Sequence, residues 1–118
     1  MVTDCPNLPL GEDGAMKVQL LYFNGCPNWK VAEERLQHAL DVLEIPAVID
    51  RCLVETDEVA GRLRFAGSPS ILLNGRDPFR SASSRFGLTC RVYDTPDGPE
   101  GAPTLIQLVE AVKKAAAA

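Results

Sequence analysis

The chain has 118 residues, of which 46% are hydrophobic and 24% charged, so it is long enough for one folded domain but too short for two cores. Its net charge of -4 argues against a generally basic surface for nucleic acid or anionic membranes, and no apolar run approaches the ~18 residues of a membrane span. Residues 1–15 lack the cationic start and apolar core of a signal peptide, so we expect a cytoplasmic protein with neither nucleic-acid nor membrane partners.

Residues 1–15 show no periodicity and are predicted to form a disordered leader, followed by one folded domain over residues 16–118. Within the domain, apolar runs typical of strands alternate with segments of helical periodicity. In chain order the predicted elements are a strand at 17–23, a helix from Pro27 to Pro46, a strand at 47–54, a short helix from Thr56 to about Gly67, a strand after Pro69, a strand at 88–93 and a helix from Thr104.

This order of elements predicts an α/β fold with a four-stranded mixed sheet and helices on both of its faces. The first strand, the long helix and the second strand are expected to form a parallel unit with a right-handed crossover. The third and fourth strands are expected to pair as a hairpin, and residues 94–103 are predicted to be a Pro/Gly-rich connection to the final helix.

A cysteine occupies the turn between the first strand and the long helix, in the run N-G-C-P-N-W that ends at Trp29. A cysteine at a helix N-cap faces the unpaired amide hydrogens of the first turn and the positive end of the helix dipole. Both effects favour the thiolate, which is the nucleophilic form. We therefore expect Cys26 to be a reactive thiol, while the alternative is a small residue that fits a tight turn.

Gly25-Cys26-Pro27, together with F-A-G-S-P-S-I-L-L-N-G at residues 65–75, resembles the thioredoxin superfamily. With C-R-V-Y near its end, the chain is similar over residues 16–113 to small bacterial G-C-P-N-W proteins of thioredoxin-like type, some of them labelled alkylmercury lyase. The resemblance implies a thioredoxin-like fold in which Pro69 is a cis-proline packed against the active thiol. It also implies that Ser68 offers backbone hydrogen bonds to a bound peptide or mixed disulfide.

The chain departs from thioredoxins where their C-x-x-C motif has its second cysteine, because Trp29 stands at that position. Cys26 must then act as a monothiol resolved by an external thiol such as glutathione, or be resolved by a distant cysteine. Cys90 is the best internal candidate for a resolving thiol, with a buried structural thiol as the alternative. Cys52 is expected in the core, and no specific role is expected for Cys5.

These features favour thiol–disulfide exchange, with Cys26 as nucleophile and Cys90 as candidate resolving thiol. The residues expected to contact the partner are Pro27, Trp29, Ser68 and Pro69. The expected partner is a protein disulfide or a low-molecular-weight thiol, and no cofactor is expected. No metal site is predicted either, since no two cysteines have C-x-x-C spacing and the chain has one His. Two alternatives are a soft-metal or organomercurial-handling protein that uses Cys26 and Cys90, and a non-catalytic binding module.

Overall fold

The computed structural model describes residues 16–63, 65–79 and 87–117. The predicted leader lies outside these ranges. The elements in chain order are β1 (Val18–Tyr22), α1 (Asn28–Val42), β2 (Ile49–Leu53), α2 (Asp57–Leu63), β3 (Ser70–Leu73), β4 (Tyr93–Thr95), β5 (Gly98–Glu100) and α3 (Leu105–Ala117). The chain is therefore of the α/β class, as predicted.

The main sheet has three strands in the order β2-β1-β3. β1 pairs in parallel with β2, with Val18 opposite Ile49, and antiparallel with β3, with Val18 opposite Leu73. The continuous apolar sequence of β1 explains its central position, because a strand covered on both faces needs apolar side chains on both. The predicted parallel pairing of the first two strands is confirmed.

Alternate residues of β1 point into two separate cores, as strand geometry requires. Val18 and Leu20 pack with the buried faces of α1 and α3, whereas Leu21 packs with α2 and with Phe65. Helices thus cover both faces of the sheet, as predicted. On α1 the buried positions recur at helical spacing: they are Ala32, Leu36, Ala39 and Leu40.

The predicted four-stranded sheet is not formed in the described part of the chain. The expected hairpin between the third and fourth strands is also absent there, because Tyr93–Thr95 pairs with Gly98–Glu100 across a Gly98 turn instead. Residues 89–91 meet the main chain at a single bridge between Cys90 and Ser68. That pairing cannot extend along the chain, since Pro69 has no N–H to donate. Among the described residues, no helix is both long and apolar enough to cross a membrane.

Candidate functional site

The site is built around a disulfide between Cys26 and Cys90, whose Cα atoms lie 5.8 Å apart although 64 positions separate them in sequence. Cys26 is completely buried, with 0% of its surface exposed, whereas Cys90 is exposed. The disulfide therefore joins one sulfur inside the fold to one on the surface.

Cys26 lies directly before the helical backbone of α1. Helical hydrogen bonding starts at Asn28, but Pro27 already has helical dihedral angles, with φ -75° and ψ -6°. By its backbone angles Cys26 thus holds the N-cap position expected from the sequence. The first turn of α1 carries no acidic side chain, so no carboxylate there opposes the positive end of the helix dipole.

The side chain of Asn28 supplies a hydrogen-bond donor to the sulfur of Cys26, with 3.6 Å between Nδ2 and Sγ. The amide is held in place from its other side by the backbone at Gly101. A Cβ built on Gly101 would collide with the Asn28 side chain, so only a residue without a side chain leaves this space free. Asn28 was not predicted as a site residue, although its place two residues after Cys26 was the available signal.

The loop at Ser68–Pro69 lies beside the disulfide and contains a cis peptide bond, as the resemblance implied. The N–H of Ser68 donates to the Thr89 carbonyl at 2.8 Å, and the Ser68 carbonyl accepts from the N–H of Arg91 at 2.9 Å. The backbone groups expected to be open to a peptide therefore bond to this chain's own residues on either side of Cys90. That expectation is corrected, because residues 89–91 already lie along this edge.

Gly67 lets residues 89–91 come this close. Its φ of +111° is one that side-chain-bearing residues rarely adopt. A Cβ on Gly67 would lie 3.0 Å from the Arg91 Cβ and 3.1 Å from the Thr89 carbonyl oxygen. The glycine is thus required both by its backbone angle and by the close approach of residues 89–91.

Arg91 fixes the position of Cys90 through a buried ion pair. Its Nη1 lies 2.6 Å from Oδ2 of Asp77, and the two side chains are only 8% and 1% exposed. The guanidinium also donates to the hydroxyl of Ser70 and to the carbonyl of Phe79, and it stacks over the ring of Tyr93. A planar fork of five donors suits such a set of acceptors, whereas a lysine could not satisfy them.

Tyr93 closes this arrangement from the other side of Pro69. Its hydroxyl donates to the Pro69 carbonyl, and its ring packs edge-on against Phe79. Burial raises the pKa of the Tyr93 phenol; the nearby Arg91 lowers that pKa in part, and Asp77 adds to the rise. The phenol therefore stays neutral and remains a donor to Pro69.

The start of the same segment is also tethered to the body of the fold. The N–H of Gly87 donates to the Phe65 carbonyl at 3.0 Å, and the N–H of Leu88 donates to the Asp57 carboxylate at 3.3 Å. Residues 87–91 are thus held before Cys90 by Asp57 and after it by Arg91. None of these contacts involves a sulfur atom.

The two other residues expected to contact a partner differ in their surroundings. Pro27 is exposed next to the buried Cys26, so its expected role stays a prediction. Trp29 stacks on Tyr22 with ring centroids 4.4 Å apart, and the guanidinium of Arg51 lies 5.1 Å from its ring centre. These contacts direct Trp29 toward β1 and β2 and account for its packing; contact with a partner stays a prediction.

Cys52 lies in β2 and is buried as expected, with 2% of its surface exposed. Cys5 lies outside the described residues. In the described ranges, no group of three or more His, Cys, Asp or Glu side chains is arranged to hold a metal ion.

No protein-family model, no curated protein and no solved structure matches the chain. The function is therefore inferred from the geometry around Cys26 and Cys90. Of the residues in that geometry, Asp77, Arg91 and Tyr93 were not singled out from the sequence. Arg91 and Tyr93 stand within C-R-V-Y, whereas nothing local marks Asp77 as the partner of Arg91.

Proposed function

We propose that this chain is a thiol–disulfide redox protein of thioredoxin-like type, in which Cys26 and Cys90 alternate between a disulfide and two thiols. The observation that carries the proposal is the pairing of the helix-terminal cysteine with a cysteine 64 positions away, beside the Ser68–Pro69 loop. Cys26 is the nucleophile of the internal step, and Cys90 takes the place of the second cysteine that thioredoxins have in C-x-x-C.

The surroundings of Cys26 support its role as the thiolate of the pair. The N-terminus of α1 and the Asn28 amide at 3.6 Å both stabilise negative charge on its sulfur. A stabilised thiolate is a good leaving group when the disulfide is reduced. It is also present in its reactive form when the disulfide closes again.

The exposure of Cys90 favours a working disulfide over a structural one. A reagent in solution has access to the bond at Cys90, and access is one of the factors that set the rate of thiol–disulfide exchange. In the reducing cytosol expected from the sequence, disulfides are rare unless they have a redox task. Both considerations point to exchange chemistry.

The chain order around the site adds support at the level of the fold. A β1–α1–β2 parallel unit, an antiparallel β3 preceded by a cis-proline, and a final helix on the α1 face are what the resemblance to thioredoxins implies. The three-stranded sheet and the separate β4–β5 hairpin differ from the four-stranded sheet expected from the sequence. The thioredoxin-like fold is therefore part of the proposal.

The proposal is tested by equilibrating the protein in glutathione buffers poised between about -180 and -300 mV, the range of known exchange proteins and cellular pools. After acid quenching and alkylation, trypsin places each cysteine on a different peptide, with Cys26 on residues 18–30 and Cys90 on residues 86–91. We expect the cross-linked pair of peptides to give way to two alkylated peptides within this range. The variant Cys90→Ser is the matched control, since it cannot form the cross-link.

Persistence of the cross-link at the most reducing poise would contradict the proposal, because structural disulfides have potentials below about -300 mV. Failure of the cross-link to form at the most oxidising poise would contradict it equally. In either case the pair would not exchange electrons with a cellular thiol pool.

The soft-metal alternative has one observation in its favour, which is that the reduced pair would place two sulfurs close enough to share an ion. Thiolates prefer soft ions such as Cu(I). Titration of the reduced protein with Cu(I), and of the variants Cys26→Ser and Cys90→Ser, separates the two functions. One tightly bound ion that needs both cysteines, together with no exchange in glutathione buffers, would favour metal handling.

A further inference from the structure

We infer that Cys90, and not the helix-terminal Cys26, is the sulfur that meets the partner thiol or disulfide. The mixed disulfide then forms on Cys90, and Cys26 opens and closes the internal bond from inside the fold. This inference rests on the proposed function and assigns the order of its steps. It reverses the expectation from the sequence that Cys26 attacks the partner directly.

Access to the two sulfurs is the first observation. Thiol–disulfide exchange requires the attacking sulfur to approach one particular sulfur of the disulfide, so access decides which of the two is attacked. Cys26 has 0% exposed surface, whereas Cys90 is exposed. A partner approaching from solvent therefore reaches the bond at Cys90.

The anchoring of residues 87–91 extends this assignment to the reduced protein. The Arg91–Asp77 ion pair, the two backbone bonds to Ser68 and the Leu88–Asp57 bond are all independent of the disulfide. Breaking the S–S bond removes none of them. Cys90 thus stays at the surface beside Cys26, and an oxidised partner also meets Cys90 first.

The chemistry of the two sulfurs agrees with their access. Attack on Cys90 expels the sulfur of Cys26, and exchange is faster when the leaving thiol is the more acidic one. The Asn28 amide and the N-terminus of α1 stabilise the expelled Cys26 thiolate. Among the described residues, the structure assigns no comparable donor to the sulfur of Cys90.

The steps balance as an exchange of two electrons. In reduction of the protein, a partner thiolate bonds to the Cys90 sulfur and the Cys26–Cys90 bond breaks, so that Cys26 leaves as a thiolate. A second partner thiolate attacks the partner sulfur of the mixed disulfide, releases the partner disulfide and leaves Cys90 as a thiolate that takes a proton from water. In the reverse direction, Cys90 attacks the partner disulfide and Cys26 then attacks the Cys90 sulfur.

The wild-type protein provides a test that needs no substitution. The oxidised protein is mixed with a small amount of reduced glutathione, quenched early with acid, alkylated and cleaved with trypsin. We expect glutathione on the peptide of residues 86–91 and the alkyl group on the peptide of residues 18–30. Glutathione on residues 18–30 and alkyl on residues 86–91 would overturn the inference.

Two single-cysteine variants test the reverse direction with glutathione disulfide as the probe. We expect reduced Cys26→Ser, which keeps Cys90, to be glutathionylated at least about tenfold faster than reduced Cys90→Ser, which keeps the buried Cys26. Equal rates, or faster reaction at Cys26, would overturn the inference. A control adds Asp77→Asn to each variant, because it weakens the anchor of residues 87–91. We expect it to speed the reaction of Cys26 several-fold and to change that of Cys90 by less than about twofold.

The same data keep the two proposals apart. Glutathione on Cys26 with normal cycling of the cross-link would reverse the order of steps and leave the exchange function intact. A cross-link that glutathione neither opens nor forms, with no adduct on either cysteine, would remove the exchange function itself.

Discussion

Asn28 lies between the sulfur of Cys26 and the backbone of Gly101, so one amide connects the start of α1 to the loop before α3. The predicted effect of Asn28→Ala is slower reduction of the disulfide by dithiothreitol, by about fivefold, because one hydrogen bond to the leaving thiolate is lost. Asn28→Asp keeps the shape but places a carboxylate beside the sulfur. We expect it to be slower than Asn28→Ala.

Gly101→Ala offers an independent way to displace the same amide, since its added methyl group would occupy the space of the Asn28 side chain. We expect a rate close to that of Asn28→Ala, and no further loss in the double variant, because both changes remove one interaction. Stopped-flow fluorescence of the reduction, with Trp29 as the probe, measures these rates. Additive losses would show that Gly101 acts through another contact.

Tyr93 makes stability depend on pH in the alkaline range. Burial raises the pKa of its phenol above the ordinary value of 10.0, so the unfolded chain loses this proton at lower pH than the folded chain does. The contribution to the free energy of unfolding is therefore complete below about pH 10 and falls above it, by up to about 1.4 kcal/mol per pH unit. Tyr93→Phe removes this group from both states.

At neutral pH we expect Tyr93→Phe to be less stable than wild type by about 1 kcal/mol, because the bond to the Pro69 carbonyl is lost. Above about pH 10 this difference should shrink with rising pH. Urea unfolding curves at several pH values give both free energies. A constant difference across the alkaline range would mean that the phenol of Tyr93 ionises as easily in the folded chain as in the unfolded one.

At the scale of elements, residues 87–91 depend on a glycine that lies outside them. Gly67→Ala would force a side chain onto a φ of +111° and against the backbone of Arg91. We expect the free energy of unfolding to fall by about 1–3 kcal/mol. We also expect slower closure of the Cys26–Cys90 disulfide on addition of glutathione disulfide, because residues 89–91 no longer reach the Ser68 edge.

Gly61→Ala is the matched control for this experiment. Gly61 is exposed in the middle of α2, and a Cβ there meets nothing within 4 Å. An alanine at this position should stabilise the protein by about 0.5–1 kcal/mol through helix propensity and leave disulfide closure unchanged. If Gly67→Ala behaved like Gly61→Ala, the close approach of residues 89–91 would not matter for the site.

Most elements were predictable because local patterns determine them. The apolar run of β1, the helical spacing on α1 and the cap at Thr56, whose hydroxyl accepts from Val59 at 3.1 Å, are all visible in a short window of sequence. The strand predicted at residues 88–93 was wrong. Its apolar composition is that of a strand, but the buried ion pair of Arg91 and the single bridge at Cys90 set its path, and both depend on residues far away in the chain.

At the scale of the whole molecule, the sequence predicted both cysteines of the disulfide and the Ser68–Pro69 loop, through a resemblance centred on a few residues. It left open whether Cys26 and Cys90 pair, because strand register across such a separation is set by tertiary packing. It also did not predict that residues 89–91 cover the Ser68 edge. That arrangement depends on Asp77, a loop aspartate whose partner no local pattern reveals.

The disulfide links the stability of the fold to its redox state. A cross-link between residues 64 positions apart restricts the unfolded chain, and the loop-entropy relation for that length gives about 4 kcal/mol of stabilisation. We therefore expect the oxidised protein to exceed both the dithiothreitol-reduced protein and the double variant Cys26→Ser/Cys90→Ser by about this amount, in urea unfolding followed by circular dichroism. The reduced protein and the double variant should agree closely, because the anchors of residues 87–91 remain in both. By the thermodynamic cycle, the same difference measures how much more strongly the folded chain favours the disulfide than the unfolded chain does. A reduced protein as stable as the oxidised one would mean that folding does not bring Cys90 to Cys26, and the pair would have no advantage over any two thiols of an unfolded chain.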